Sequence, residues 1–146
     1  GDHLMFYKKQ TIKELINIHK NQKAAVSLIS AIYKNPDELA WGRIIRDKKG
    51  NVVDIIEQKD ATFEQRKIKE LNAGFYCFDY EFLEKNIGKI KKSSVSREYY
   101  LTDIVKIAVS KGKKVTALKV SFPEVGIGVN KLEELQQSQK MLKMRG

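Results

Sequence analysis

The stretch from Ala24 to Tyr33 restricts the fold more than any other part of this sequence, because it is almost continuously apolar, small or β-branched. A strand covered on both faces reads this way, and Asn35-Pro36-Asp37 supplies the turn that ends it. A central strand of that kind needs further strands beside it and other layers above and below. The flanking segments have the periods that such layers require.

Before the central run, Thr11-Ile12-Lys13-Glu14 has capping-box spacing and Ile12, Leu15, Ile16 and His19 recur at helical intervals, predicting an amphipathic helix over about residues 11–22. After it, Gly42 to Asp47 and Val52 to Glu57 flank the turn signal Lys48-Lys49-Gly50-Asn51, which reads as a hairpin. Thr62-Phe63-Glu64-Gln65 is a second capping box for a brief helix, and Glu70 to Phe78 has strand composition around Gly74. A helix begins after Asp79 with a face of Leu83, Ile87 and Ile90, and the Ser- and Lys-rich stretch Lys91 to Arg97 interrupts it. Helical spacing resumes from Leu101 to Ser110 and closes at Gly112. Val115 to Phe122 alternates as a strand, and Asn130 precedes a last helix over about residues 131–144.

Strands and helices that alternate, with a hairpin inserted among them, specify an α/β mixed sheet covered by helices. Such a domain ordinarily opens with a strand and its first crossover helix, whereas this chain reaches its first helix after a short stretch beginning Gly1-Asp2. The expectation is the back part of a larger fold, one partial domain over residues 1–146.

Composition removes several function classes. No segment approaches the roughly 18 uninterrupted apolar residues of a membrane-crossing helix, and no signal-peptide pattern opens the chain, so a cytosolic protein with no membrane partner is expected. The single cysteine, Cys77, lies in the apolar run Phe75 to Phe78 and reads as a small buried hydrophobe. His3 and His19 form no motif, and His19 on the apolar side of its helix reads as packing. With 28 Lys plus Arg against 18 Asp plus Glu, the net charge of +10 attracts anions. The basic residues are scattered in short groups without interleaved aromatics, which argues against nucleic acid and for a lysine-rich solvated surface.

In order along the chain, Gly1-Asp2, Trp41-Gly42-Arg43-Ile44, Ile56 to Thr62, Leu71-Asn72-Ala73-Gly74, Glu98 to Asp103 and Gly128-Val129-Asn130 form a joint pattern. On these motifs the chain resembles the later part of the uridyltransferase domain of bacterial N-acetylglucosamine-1-phosphate uridyltransferases. The likeness runs essentially from end to end, and implies a Rossmann-like nucleotidyltransferase sheet lacking its first nucleotide-binding βα units. The implied reaction joins UTP to N-acetylglucosamine 1-phosphate, giving the peptidoglycan precursor UDP-N-acetylglucosamine and pyrophosphate with the help of Mg²⁺.

By position in that pattern, Asp2 and Asn130 correspond to the magnesium ligands, and a hard oxygen-seeking ion suits both side chains. The resemblance assigns the sugar side to Gly42 as a close-approach backbone position, to Glu57 and Asn72 as readers of hydroxyls and the acetamido group, and to Tyr100 and Thr102. Lys59 offers a fixed positive charge near a phosphate. The attacking phosphate oxygen is already anionic, so no base is required. The family's Gly-rich triphosphate loop and uracil-reading glutamine precede the matched region, and no acetyltransferase β-helix repeat is present. Trp41 replaces the usual tyrosine and Leu4 the usual proline. The chain alone is therefore expected to be inactive or nearly so, and to need a missing amino-terminal half or to self-associate.

Each assignment has a structural rival. Asn130 with Glu133 is also a competent helix cap, Gly42 a strand start, Glu57 with Lys59 an exposed pair, and Thr102 a cap for the helix from Asp103. Asn72 in an apolar strand is harder to dismiss, since a buried amide without partners costs about 1–3 kcal/mol. Rival functions are a split enzyme completed by another chain, a nucleotidyltransferase for another sugar 1-phosphate, or a basic polyanion-binding module.

Overall fold

The computed structural model describes residues 8–125, which form a five-stranded mixed sheet with helices on both faces. In chain order these are α1 (Lys9–Asn21), β1 (Val26–Ile32), β2 (Arg43–Arg46), β3 (Val52–Ile56), α2 (Phe63–Arg66), β4 (Glu70–Phe78), α3 (Tyr80–Asn86), α4 (Asp103–Ser110) and β5 (Val115–Val120). The strand order is β3-β2-β4-β1-β5, with β1 antiparallel to β4 and parallel to β5. Asp2, Asn130 and the expected helix over residues 131–144 lie outside the described residues.

The expected central strand is central because both of its faces are occupied. Val26 and Leu28 join Ile44, Ile55, Phe82, Ile104 and Val105 in a core beneath α3 and α4. Ile29 and Ala31 face the other way, joining Leu15 of α1, Ala73 and Val125. Val26, Leu28, Ile29 and Ala31 are fully buried, and at about 1.5–3 kcal/mol for each large side chain this run is a main source of the sheet's stability.

Helix α1 starts earlier than its apparent capping box. Lys8 is the N-cap and has no side-chain capping bond, whereas Thr11 is buried within the helix and its hydroxyl donates to Glu124 Oε1 at 2.5 Å. A tertiary partner thus takes the hydroxyl that the local pattern assigned to a cap. The Thr62–Gln65 box forms as its spacing predicts, with both reciprocal hydrogen bonds present. In α3 the expected apolar face stops short: Ile87 falls in a 3₁₀ turn and is 49% exposed.

Between β1 and β4 the register slips. Leu28 faces Tyr76 and Ser30 faces Asn72, so three residues of β4, with Gly74 at their centre, oppose Ile29 alone. Gly74 has φ +81°, a conformation that a side chain would disfavour, and it lets the strand bulge toward the site described next.

Candidate functional site

A cavity of about 410 Å³ opens where the bulge of β4 meets the start of β2, the end of β3 and the segment leading into α4. Gly42, Glu57, Asn72, Tyr100 and Thr102 all line it, together with Trp41, Ala73, Gly74, Tyr76, Tyr99 and Leu101. Five of the six residues read from the sequence as substrate-binding therefore meet on one wall, although they span some sixty positions of chain.

Sheet pairing brings them together. Arg43 sits opposite both Leu71 of β4 and Ile56 of β3, so the residues next to these partners, Gly42, Asn72 and Glu57, become neighbours. The Asn72 backbone N–H donates to the Gly42 carbonyl at 2.8 Å, tying the two strands at the rim. Gly42 has no room for a side chain: a Cβ there would lie 2.8 Å from Ile55 Cγ2 and 3.5 Å from both Glu57 carboxylate oxygens.

Beneath this rim, Arg43 is fully buried and, among the described residues, bonds only to carbonyls. Its Nη1 donates to Leu39 and Trp41 at 3.0 and 2.6 Å, and its Nη2 to Pro36 and Arg66 at 2.7 and 3.1 Å. The guanidinium fork thereby pins the Pro36–Trp41 segment against the end of α2, and with it the backbone that presents Trp41 and Gly42.

Glu57 stands at the end of β3, where the Thr102 hydroxyl donates to its Oε1 at 3.0 Å. Thr102 occupies the N-cap position of α4 but makes no side-chain cap, so the contact with Glu57 prevails over the capping alternative. Burial pushes the Glu57 carboxyl up, the Thr102 hydrogen bond opposes the rise, and Asp103, Asp60 and Glu98 add to it.

The Asn72 amide has partners on both sides. Its Oδ1 accepts the Gly74 N–H at 3.0 Å, holding the bulge, and its Nδ2 donates to Tyr76 Oη at 2.6 Å. One amide hydrogen is left for a ligand. Burial, opposed by the bond from Asn72 and reinforced by Glu57, pushes the Tyr76 hydroxyl up to about 12, so it stays neutral throughout the physiological range. The Tyr100 hydroxyl donates to Ser96 Oγ at 2.6 Å, fixing a ring that lines the cavity.

Lys59 does not line the cavity. Its ammonium pairs with Glu98 Oε1 at 2.7 Å, with both side chains largely exposed, and that hydrogen bond raises its ionisation. Lys59 and Glu57 therefore do not form the exposed pair weighed as their structural rival. A second cavity of about 390 Å³ adjoins the first, sharing Glu57 and Tyr100, with Asp54, Asp60, Asp103 and several lysines around it. Among the described residues no group of three or more His, Cys, Asp or Glu side chains is placed to hold a metal ion.

Sequence reasoning missed Arg43, Tyr76 and Glu98. Tyr76 shares the face of Asn72 by alternation, which was a usable signal. The carbonyl partners of Arg43 and the Glu98 partner of Lys59 depend on loop paths that no local pattern reports.

Residues 1–123 match the family model described as nucleotidyl transferase. The chain is 43% identical over 96% of its length to "Bifunctional protein GlmU" of Caldicellulosiruptor saccharolyticus, covering 30% of that protein. It is 38% identical to the proteins of the same name from Clostridium kluyveri and Acetivibrio thermocellus, covering 94% and 93% of this chain and 30% and 29% of those proteins. The chain thus spans about 30% of the length of the curated relatives it matches. Among solved structures, a putative glucose-1-phosphate thymidylyltransferase from Bacillus anthracis in complex with a sucrose matches 75% of this chain and 41% of its own. That match has a TM-score of 0.55 and 20% identity, a likeness of fold.

Proposed function

This chain belongs to the nucleotidyl transferase family, and on that premise we propose that it is the sugar-phosphate-binding portion of a uridyltransferase. The proposed reaction joins UTP to N-acetylglucosamine 1-phosphate in the cytoplasm, releasing pyrophosphate and UDP-N-acetylglucosamine. The observation that carries the reading is the convergence of Gly42, Glu57, Asn72, Tyr100 and Thr102 on one cavity.

In this reading the cavity holds the sugar. The Glu57 carboxylate, oriented by Thr102, accepts from ring hydroxyls, and the free amide hydrogen of Asn72 donates to the acetamido carbonyl. Gly42, with no side chain to displace Ile55 or Glu57, lets the Glu57 carboxylate stand at the cavity, and Trp41, Tyr99 and Tyr100 offer ring faces along it. The chemistry then depends on position and charge, since the phosphate oxygen of the sugar phosphate attacks the α-phosphorus of UTP without deprotonation. Asp2 and Asn130 offer the hard oxygen donors that suit Mg²⁺, which when bound neutralises phosphate charge. Lys59, which pairs with Glu98 outside the cavity lining, would offer its charge to a phosphate and not to the sugar.

Trp41 is the only tryptophan of the chain and lines the cavity, so its fluorescence reports occupancy directly. Titration with UDP-N-acetylglucosamine should change the emission saturably, and Glu57→Gln should weaken the response. Pyrophosphate release from UTP and N-acetylglucosamine 1-phosphate is then measured for the chain alone and for the chain mixed with the amino-terminal half of a complete relative. Little turnover alone and activity on mixing is the expected result. Ordinary turnover by the chain alone would overturn the claim that the nucleotide grip is supplied elsewhere, and no fluorescence response would overturn the sugar assignment.

A further inference from the structure

Tyr76 was not among the residues that the sequence pointed to as substrate-binding, yet it lines the sugar cavity beside Asn72. In a regular strand, Cα atoms four residues apart are separated by about 13 Å, too far for an asparagine amide and a tyrosine hydroxyl standing parallel to meet. The bulge centred on Gly74 changes this: three residues of β4 oppose Ile29 alone, and Tyr76 Oη lies 2.6 Å from Asn72 Nδ2. The Tyr76 ring stacks on Phe78 with centroids 5.4 Å apart and packs against the core beneath α3 and α4. Its hydroxyl end is therefore the part that meets Asn72 at the cavity.

The hydrogen bonds around this pair leave one donor and one acceptor over. Asn72 Oδ1 accepts from the Gly74 N–H at 3.0 Å, which settles the orientation of the amide, so the 2.6 Å contact is an Nδ2–H donating to the phenol oxygen. Tyr76 keeps its own O–H, and no acceptor among the described residues takes it. Glu57 Oε1 accepts from Thr102 at 3.0 Å, while no described residue donates to Oε2. Printed distances link the two groups along one wall: both Glu57 oxygens lie 3.5 Å from the place of a Gly42 Cβ, the Gly42 carbonyl accepts the Asn72 N–H at 2.8 Å, and Asn72 holds Tyr76. No hydrogen bond among the described residues joins Tyr76 to Glu57, so a donor and an acceptor line one cavity without satisfying each other. A hydroxyl accepts one hydrogen and donates one, and completes both; a carbonyl cannot donate and an ammonium cannot accept.

We propose that Tyr76 is a further sugar-binding residue, its O–H donating to a ring hydroxyl that itself donates to Glu57 Oε2. This rests on the sugar-phosphate reading above and adds to it which hydroxyl is selected. The two N–H groups of an amide diverge by about 120°, so an acetamido oxygen on the second Asn72 N–H lies about 4–5 Å from Tyr76 Oη. The hydroxyl in reach of Tyr76 is then one on a ring carbon next to the acetamido carbon. One of those two carbons carries the phosphate, which leaves the 3-hydroxyl.

Trp41 fluorescence titrations with N-acetylglucosamine 1-phosphate and its 3-deoxy and 6-deoxy analogues test the contact in the parent chain and in Tyr76→Phe, which removes one oxygen and keeps the ring that stacks on Phe78. In the parent, loss of the 3-hydroxyl should weaken binding at least about tenfold, since two hydrogen bonds go and one of them is to a charged acceptor. Tyr76→Phe should weaken N-acetylglucosamine 1-phosphate and the 6-deoxy analogue alike, by about fivefold to tenfold, and leave the 3-deoxy analogue within about twofold. A purely structural role for Tyr76 would instead weaken all three ligands equally. That result, or no weakening of any of them, would overturn the Tyr76 contact and leave the sugar site standing. A parent chain that binds the 3-deoxy analogue as tightly as the full sugar phosphate would do the same without recourse to a variant. A parent chain that binds none of the three would overturn the sugar-phosphate reading, and the Tyr76 contact with it.

Discussion

Replacing Gly42 by alanine tests the geometry of the sugar cavity with a single methyl group. The added Cβ would sit 2.8 Å from Ile55 Cγ2, a branch bonded directly to the Ile55 Cβ, in a side chain that is 2% exposed. Ordinary carbon contacts need roughly 3.5–4.0 Å, so the two groups must separate by about 1 Å. Ile55 cannot yield alone, because it packs in the core with Ile44, Val52, Ile104 and Val105. Overpacking of this kind costs about 1–3 kcal/mol, while Gly→Ala at an acceptable backbone conformation returns about 0.4–1 kcal/mol through the unfolded chain. The net expectation is a loss of about 1–2 kcal/mol, or about 3–7 °C in melting temperature at this chain length. Gly88→Ala is the matched control, since a Cβ there meets nothing within 4 Å and the melting temperature should not fall. Circular dichroism melts of the three proteins, with Trp41 fluorescence titrations alongside, measure both effects. A Gly42→Ala protein as stable as the parent, or a Gly88→Ala protein equally damaged, would refute the packing argument.

Other expectations follow from the buried polar groups. Burial pushes the Glu70 carboxyl up, but hydrogen bonds from Arg46 at 2.7 and 2.8 Å and from Ser30 at 2.7 Å more than offset it, so its ionisation lies below the ordinary range. The stability this contributes is present above the unfolded-state pKa and is lost as pH falls through the folded one; chemical denaturation from pH 7 to pH 3 should show Glu70→Gln losing less with acid than the parent. Arg46→Met leaves that carboxylate with one partner fewer and should cost about 2–4 kcal/mol in urea melts at pH 7. Glu57 has the opposite sign: its carboxyl is raised first by burial, so ionisation near neutrality weakens folding, and the benefit of Glu57→Gln should be larger at pH 7 than at pH 4. In ultraviolet titration Tyr76 should ionise last, near 12, and Tyr76→Phe should remove that late component.

The order of strands and helices was legible because each has a local period. Alternation marked β2 and β3, the two-sided apolar run marked β1, and the Thr62–Gln65 spacing marked α2. Thr11 had equally good cap spacing and misled, since its hydroxyl found Glu124 across the fold. The site motifs were also legible, but only as separate short strings whose joint order resembled one family.

Sequence alone thus determined the layered α/β class, the basic surface and the residue types available for holding a sugar phosphate. Tertiary structure alone decided which of them meet, because hydrogen-bonded register, not spacing along the chain, places Gly42, Glu57 and Asn72 beside one another through Arg43, Ile56 and Leu71. It also chose partners for the polar groups: Thr102 turned from helix cap to Glu57, and Lys59 turned outward to Glu98. A local pattern fixes a residue's period and face, whereas the partner of a buried or long polar side chain depends on which distant segment packs against it.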